Sequence, residues 1–292
     1  MLRIAFTADL HWGIRPSGDA ATRLMLAHLQ IVRPDILVLA GDIGSGESFG
    51  ECLELFSDLA CIKALVPGNH DIWVESDDPR GDSLQVYQEY ISARCAEYGF
   101  HYLDQGPLFC PEAGLALCGS INWYDYSWSI DSLRRMTPDW QEHLRTKRFS
   151  RGRHNDGRFV RWPHTDESFT QEVVQTFAKH LDSAFESASH VIAVTHHPPL
   201  YGLAFPRIGP PVTLDSQLWD AFAGNRAMEE LLLRHASRIP FVFCGHTHRE
   251  RENSFGPMRG FNIGGDYHFK RLLMLSWPAG QIETCVFGNP NG

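Results

Sequence analysis

Paired cysteines are missing from this 292-residue chain. Its seven cysteines, Cys52, Cys61, Cys95, Cys110, Cys118, Cys244 and Cys285, are odd in number and form no CxxC pair, which excludes a zinc knuckle and a disulfide framework. Most sit among apolar residues, where a free cysteine behaves as a small buried hydrophobe, and that usage suits a reducing compartment. A basic excess is missing too. Lys and Arg total 26 against 35 Asp and Glu, a formal net charge of −9, which argues against a general grip on long duplex DNA. No apolar run approaches the roughly 20 residues that span a bilayer, so a membrane is not expected as a partner. The opening Met1 to Phe6 runs straight into a strand-like pattern, without the basic region, apolar stretch and small-residue cleavage site of a secretory leader. These absences point to a cytoplasmic protein. Repeats, heptads and low-complexity tracts are absent as well.

What is present is an alternation of strand and helix signals. Leu2 to Ala8, Ile36 to Ala40 and Ile62 to Val66 read as short buried strands. Helical spacing follows over Ala20 to Val32, stopped by Pro34, and over Glu47 to Ala60. This βαβαβ pattern predicts a largely parallel first sheet. Each strand ends in polar residues: Asp9-Leu10-His11, then Gly41-Asp42, then Gly68-Asn69-His70-Asp71. In open α/β sheets, ligands collect at that carboxyl edge. The rule holds again later, where Val191 to Thr195 runs into His196-His197 and Phe241 to Cys244 runs into Gly245-His246-Thr247-His248. Beyond Arg249, alternating segments at Leu272 to Ser276 and Ile282 to Phe287 predict an antiparallel end to a second sheet.

The middle of the chain, from 121 to about 166, changes character. It opens with Trp123, Tyr124, Tyr126 and Trp128 and continues into an Arg-rich stretch from Arg145 to Arg161, and it reads as an inserted cap-like segment. The arginines form either a solvated face or a lid in which Arg148, Arg151, Arg153 or Arg158 reads phosphate through guanidinium forks. Tyr124 and its neighbours either edge the cleft or pack in the core. Tyr201, Phe205 and Arg207 follow the His196-His197 pair directly, a position suited to substrate contact.

Asp9, His11, Asp42, Asn69, His196, His246 and His248 offer carboxylate, imidazole and amide oxygen donors together. That mixture suits Mn²⁺, iron or Zn²⁺, whereas an all-oxygen set would favour Mg²⁺ or Ca²⁺. In Asp9-x-His11 and His246-x-His248, alternate residues of an extended segment point the same way, so each pair can address one site. Asp42, alone at its strand end, suits a bridge between two cations. Two cations about 3.5–4 Å apart activate a water and neutralise charge on a phosphoryl group.

The ordered blocks Asp9-x-His11, Gly41-Asp42, Gly68-Asn69-His70-Asp71, His196 and Gly245-His246-x-His248 resemble the pattern of the calcineurin-like metallophosphoesterases. The resemblance implies a four-layer α/β/β/α sandwich of two mixed sheets. It implies Asp9, His11 and His248 on one metal, Asn69, His196 and His246 on the other, and Asp42 bridging. His70 would face the phosphoryl group as a catalytic residue, with Asp71 orienting its ring. His196 rather than His197 is the ligand on this pattern. One departure is Ser45, which stands where many relatives carry a second acid after the bridging one. The activity so implied is metal-dependent hydrolysis of a small phosphoric ester, with a hydroxide between two metals attacking phosphorus in line. A phosphodiesterase is expected, acting on a substrate such as a nucleotide; a phosphomonoesterase is the alternative. A non-catalytic scaffold would show damaged ligands, and the set here is intact.

Overall fold

Apolar runs without alternation belong to strands buried on both faces. The computed structural model describes residues 1–205 and 212–290. In it β1 (Leu2–Thr7), β2 (Ile36–Ala40), β3 (Ile62–Val66) and β4 (Phe100–Tyr102) lie parallel in that order. β11 (Phe269–Trp277) pairs antiparallel with the other edge of β1, and β12 (Gln281–Gly288) follows it outward. The second sheet runs β5 (Leu108–Cys110), β6 (Leu115–Ser120), β7 (His190–Thr195), β8 (Phe241–Cys244), β10 (Met258–Asn262) and β9 (Arg251–Phe255). It is parallel from β6 to β10 and antiparallel at both edges.

The two C-terminal strands therefore close the first sheet, not the second. β1 leaves one edge of backbone N–H and C=O groups open opposite β2, and β11 satisfies it in a register from Leu2↔Trp277 to Phe6↔Leu273. The β9–β10 hairpin supplies the antiparallel end of the second sheet instead. Alternating polarity marks a strand but carries no information on which sheet edge it joins.

Side-chain alternation along the strands builds the layers. Ile4 and Phe6 of β1, Ile36 and Val38 of β2, and Ile192 and Val194 of β7 meet between the sheets, where Phe6 stacks on Phe243 with ring centroids 3.8 Å apart. Ala5, Leu37 and Leu39 face the other way, against Met25 and Leu29 of helix Pro16–Val32 and Phe49, Leu53 and Phe56 of helix Glu47–Ser57. Across the molecule Val191 and Ala193 face Phe177 and Leu181 of helix Asp166–Ser187 and Met228 and Leu232 of helix Arg226–Arg234. The result is the expected α/β/β/α sandwich. Helix Pro16–Val32 begins four residues before the apolar spacing suggested, because proline at the first helical position has its φ already set and no N–H to satisfy.

The 121–166 segment contains three short helices, Ile130–Met136, Trp140–Thr146 and Asp156–Phe159. Its beginning is core: Trp123 and Tyr124 are fully buried. No helix among the described residues is long and apolar enough to cross a membrane.

Candidate metal centre

Five strands, three from one sheet and two from the other, end at the same edge of the sandwich. Their loops are zipped together by backbone hydrogen bonds. Asp9 N–H donates to Gly41 at 3.0 Å, His11 N–H to Asp42 at 2.8 Å, and Gly245 N–H to His196 at 3.0 Å. The close approach explains the motif glycines. A Cβ on Gly68 would collide with the Asp42 side chain and backbone, and one on Gly41 would collide with the His196 ring. Asp9, His11, Asp42, His246 and His248 all hold positive φ, between 45° and 71°. Few non-glycine residues adopt that conformation, and it concentrates at functional sites.

The distances sort seven side chains into two groups. Donor atoms of Asp9, His11, Asp42 and His248 all lie within 4.8 Å of one another. In the other group Asn69 Oδ1 is 3.1 Å from His196 Nε2 and 3.2 Å from His246 Nδ1. Asp42 faces both: its Oδ1 is 3.3 Å from His196 Nε2, and its Oδ2 is 3.7 Å from His11 Nε2. His196 and His197 are separated by their surroundings. His196 Nδ1 lies 3.0 Å from the Ala40 carbonyl, which leaves Nε2 turned toward Asn69 and Asp42. His197 turns toward the Ile121 carbonyl at 3.3 Å and packs against Trp123 and Tyr124.

These residues fit cations. Asp9 Oδ2 and His11 Nδ1 are buried with no hydrogen-bond partner among the described residues, and two imidazole nitrogens, His11 Nε2 and His248 Nε2, face each other at 2.9 Å. Burial, aided by the charge of His70, drives the His11 imidazole well below its ordinary pKa, and burial with His197 does the same to His246. Both rings are therefore neutral, with lone pairs to offer. Burial alone would raise Asp42, but His196 and His70 carry it well below the usual carboxylate range.

His70 sits beside this cluster, its ring stacked on Trp73 at 3.6 Å and its Nε2 3.8 Å from Asp42 Oδ2. Asp71 does not orient that ring. Its carboxylate accepts from the backbone N–H groups of Ile43, Gly44 and Gly68 at 2.7–2.9 Å, so it ties the β2 loop to the β3 loop. Trp73 positions His70 instead. Ser45, in the place of the missing acid, donates to the His70 carbonyl at 3.1 Å.

A cavity of about 450 Å³ opens over Asp42, Asn69, His70, His246 and His248. Its other walls include Trp73, Phe149, Arg151, Arg153, Phe205, Trp219 and Tyr267. The residues expected at the substrate fare differently. Tyr124 is buried behind the cluster, donating to Asp156 at 2.9 Å. Arg148 and Arg158 are exposed and do not line the cavity; of the arginines in that stretch, Arg151 and Arg153 do. Arg148 and Arg153 pair across a single antiparallel β-bridge. Tyr201 donates to Asp220 at 3.1 Å in a separate cavity beside Trp128 and Glu229. Arg207 lies outside the described residues.

Several residues carried no motif signal. Tyr267 stacks on His11 at 4.3 Å. Lys270, fully buried in β11, donates to the carbonyls of Asp9 and Asp266, and burial pulls its pKa down to about 8. In the sequence Lys270 stands beside Arg271, ahead of the apolar run Leu272–Leu275 of β11, and nothing local marks it as buried.

A buried set of carboxylates, imidazoles and one amide at the shared carboxyl edge of two apposed sheets defines the metal-dependent phosphoesterase class. Residues 2–250 match the family model described as calcineurin-like phosphoesterase, and the chain belongs to that family. Among solved structures it is similar to a phosphopantetheinyl hydrolase from Mycobacterium tuberculosis. That match has a TM-score of 0.71 at 19% identity, over 91% of this chain and 89% of that one. It is also similar to a dimetal phosphatase from Danio rerio, with a TM-score of 0.58 at 13% identity, over 98% of each chain. Comparison with curated proteins gives no match.

Proposed function

We propose that this chain hydrolyses phosphoric diesters with two cations. Asp9, His11 and His248 hold one, Asn69, His196 and His246 hold the other, and Asp42 bridges them. The observation that carries this reading is the double aspect of Asp42, whose two oxygens face the two groups separately. When bound, such a pair supplies an activated water and neutralises the charge that builds on phosphorus. Mn²⁺ fits the donor set, as do iron and Zn²⁺.

The chain's own residues do the rest. His70, pressed against Trp73, presents its imidazole to the cavity and donates to the ester oxygen as it departs. Asp71 and Ser45 fix the turn that carries it. Among the described residues Arg151 has no hydrogen bond or ion pair, and it lines the cavity, placed to take a phosphate oxygen. The diester preference rests on size and lining. The cavity is far larger than a phosphate group, and Phe149 and Trp219, with ring centroids 4.6 Å apart, give a second substituent on phosphorus an aromatic wall. A nucleotide ester has this shape.

The deciding experiment is hydrolysis of bis(p-nitrophenyl) phosphate against p-nitrophenyl phosphate, with Mn²⁺ and with chelator. Mn²⁺-dependent turnover that is faster on the diester is expected. Faster turnover of the monoester would make the protein a phosphomonoesterase. Two bound metals with no turnover of either would favour a non-catalytic scaffold on this fold.

A further inference from the structure

Asp156 lies far from every motif of the site, in the short helix Asp156–Phe159 of the 121–166 segment. It is 1% exposed, yet its carboxylate reaches the centre. Oδ1 accepts from Asn69 Nδ2 at 2.8 Å and from Trp73 Nε1 at 2.8 Å, and Oδ2 accepts from Tyr124 at 2.9 Å. The segment is fastened there a second way, since Val74 N–H donates to the Phe159 carbonyl at 2.9 Å.

An asparagine amide has one end that accepts and one that donates. A carboxylate can only accept, so Asp156 selects the nitrogen end of Asn69 and turns the oxygen end toward His196 Nε2 and His246 Nδ1. The opposite flip would aim an NH₂ group at the cation and set Oδ1 against a carboxylate oxygen. Trp73, which stacks on His70, is held by the same carboxylate oxygen. We infer that Asp156 is a positioning residue of the Asn69–His196–His246 cation site, so that the inserted segment is a working part of the metal centre. The inference rests on the two-cation reading above.

The test is titration of metal-free protein with Mn²⁺ by calorimetry, with bound metal counted by elemental analysis. Wild type should bind two ions. Asp156→Ala should weaken one of the two sites about 10–100-fold, the usual effect of removing a partner of a metal ligand, and leave the other unchanged. Asp156→Asn keeps an accepting oxygen and should stay close to wild type, whereas a role as bare negative charge would make it as damaging as alanine. Asn69→Asp adds an independent arm that removes no core volume. A carboxylate is ordinarily the stronger Mn²⁺ ligand, but at 69 it cannot donate to Asp156, so the site should weaken. Two unaltered sites in Asp156→Ala, equal loss in Asp156→Ala and Asp156→Asn, or tighter binding in Asn69→Asp would each overturn the inference alone. Failure of the wild type to bind two ions would overturn the two-cation reading and the inference with it. If Asp156→Ala does not fold, Asn69→Asp decides.

Discussion

Left-handed backbone at Asp9, His11, Asp42, His246 and His248 is costly for most side chains, and Asp and His are among the residues that tolerate it. It persists because the surroundings over-determine each loop. Asp9, for example, donates its N–H to Gly41 while its Oδ1 accepts from His246 N–H at 3.0 Å. His70 is different: its φ is not among the positive ones, and its place comes from Trp73, Ser45 and its own N–H on Asp42 Oδ1 at 2.9 Å. Its ring can therefore be removed without dismantling the donor groups. His70→Ala is expected to lower kcat by about 10²–10⁴ with two metals per chain still counted by elemental analysis. Loss of a metal would place His70 among the ligands. The donor residues were legible in the sequence because each closes a strand. Asp156, Trp73 and Tyr267 were not, since nothing local marks a residue whose partner is 80 or more positions away in the chain, as Asn69 and Trp73 are from Asp156.

Strand ends do for the elements what donors do for the site. Period and apolarity identified most strands to within a residue or two, because a strand buried on both faces leaves a short uninterrupted run. The 121–166 segment was harder to read. Its polar, Arg-rich surface masks the buried Trp123, Tyr124 and Asp156 that pin it to the core. A second internal pin joins the two sheets. Asp104, just after β4, accepts from Tyr87 at 2.8 Å and from the N–H of Ile121, just after β6, at 2.7 Å, while its Oδ2 is buried without a partner among the described residues. Burial pushes its carboxyl up to about 7 against an ordinary 3.8. The folded state thus holds a proton that the unfolded state has released between about pH 4 and 7, so stability falls as pH rises through that window and the loss is complete above it. At about 1.4 kcal/mol per unit, the effect is on the order of 4 kcal/mol. Asp104→Asn keeps an accepting oxygen and removes the titration. In denaturant unfolding its stability relative to wild type should improve from about pH 5 to pH 8. Parallel pH profiles would mean that Asp104 is already ionised in the fold.

At the scale of the whole molecule, the two donor groups do not divide by sheet. Asp9, His11, Asp42 and Asn69 come from loops of the first sheet, and His196, His246 and His248 come from the second. Each group therefore draws from both, and so ties the two sheets together alongside the apolar layer between them around Phe6 and Phe243. The unfolded chain scatters these donors from position 9 to position 248, so metal binds the folded state and not the unfolded one. Linkage then fixes the consequence: each site stabilises the fold by RT ln(1 + [metal]/Kd), about 2.7 kcal/mol when the metal stands at 100 times its Kd. For a chain of this size, 1 kcal/mol moves the melting temperature by roughly 2–4 °C. Chelation of Mn²⁺-loaded protein should therefore lower Tm by about 5–10 °C for each site emptied, and Tm should climb again with the logarithm of added Mn²⁺. Asp42→Asn, which touches both groups, should flatten that dependence for both sites together. A melting temperature indifferent to chelator would mean that the cluster holds no cation across the two sheets, and the apolar layer alone would then have to keep them in register.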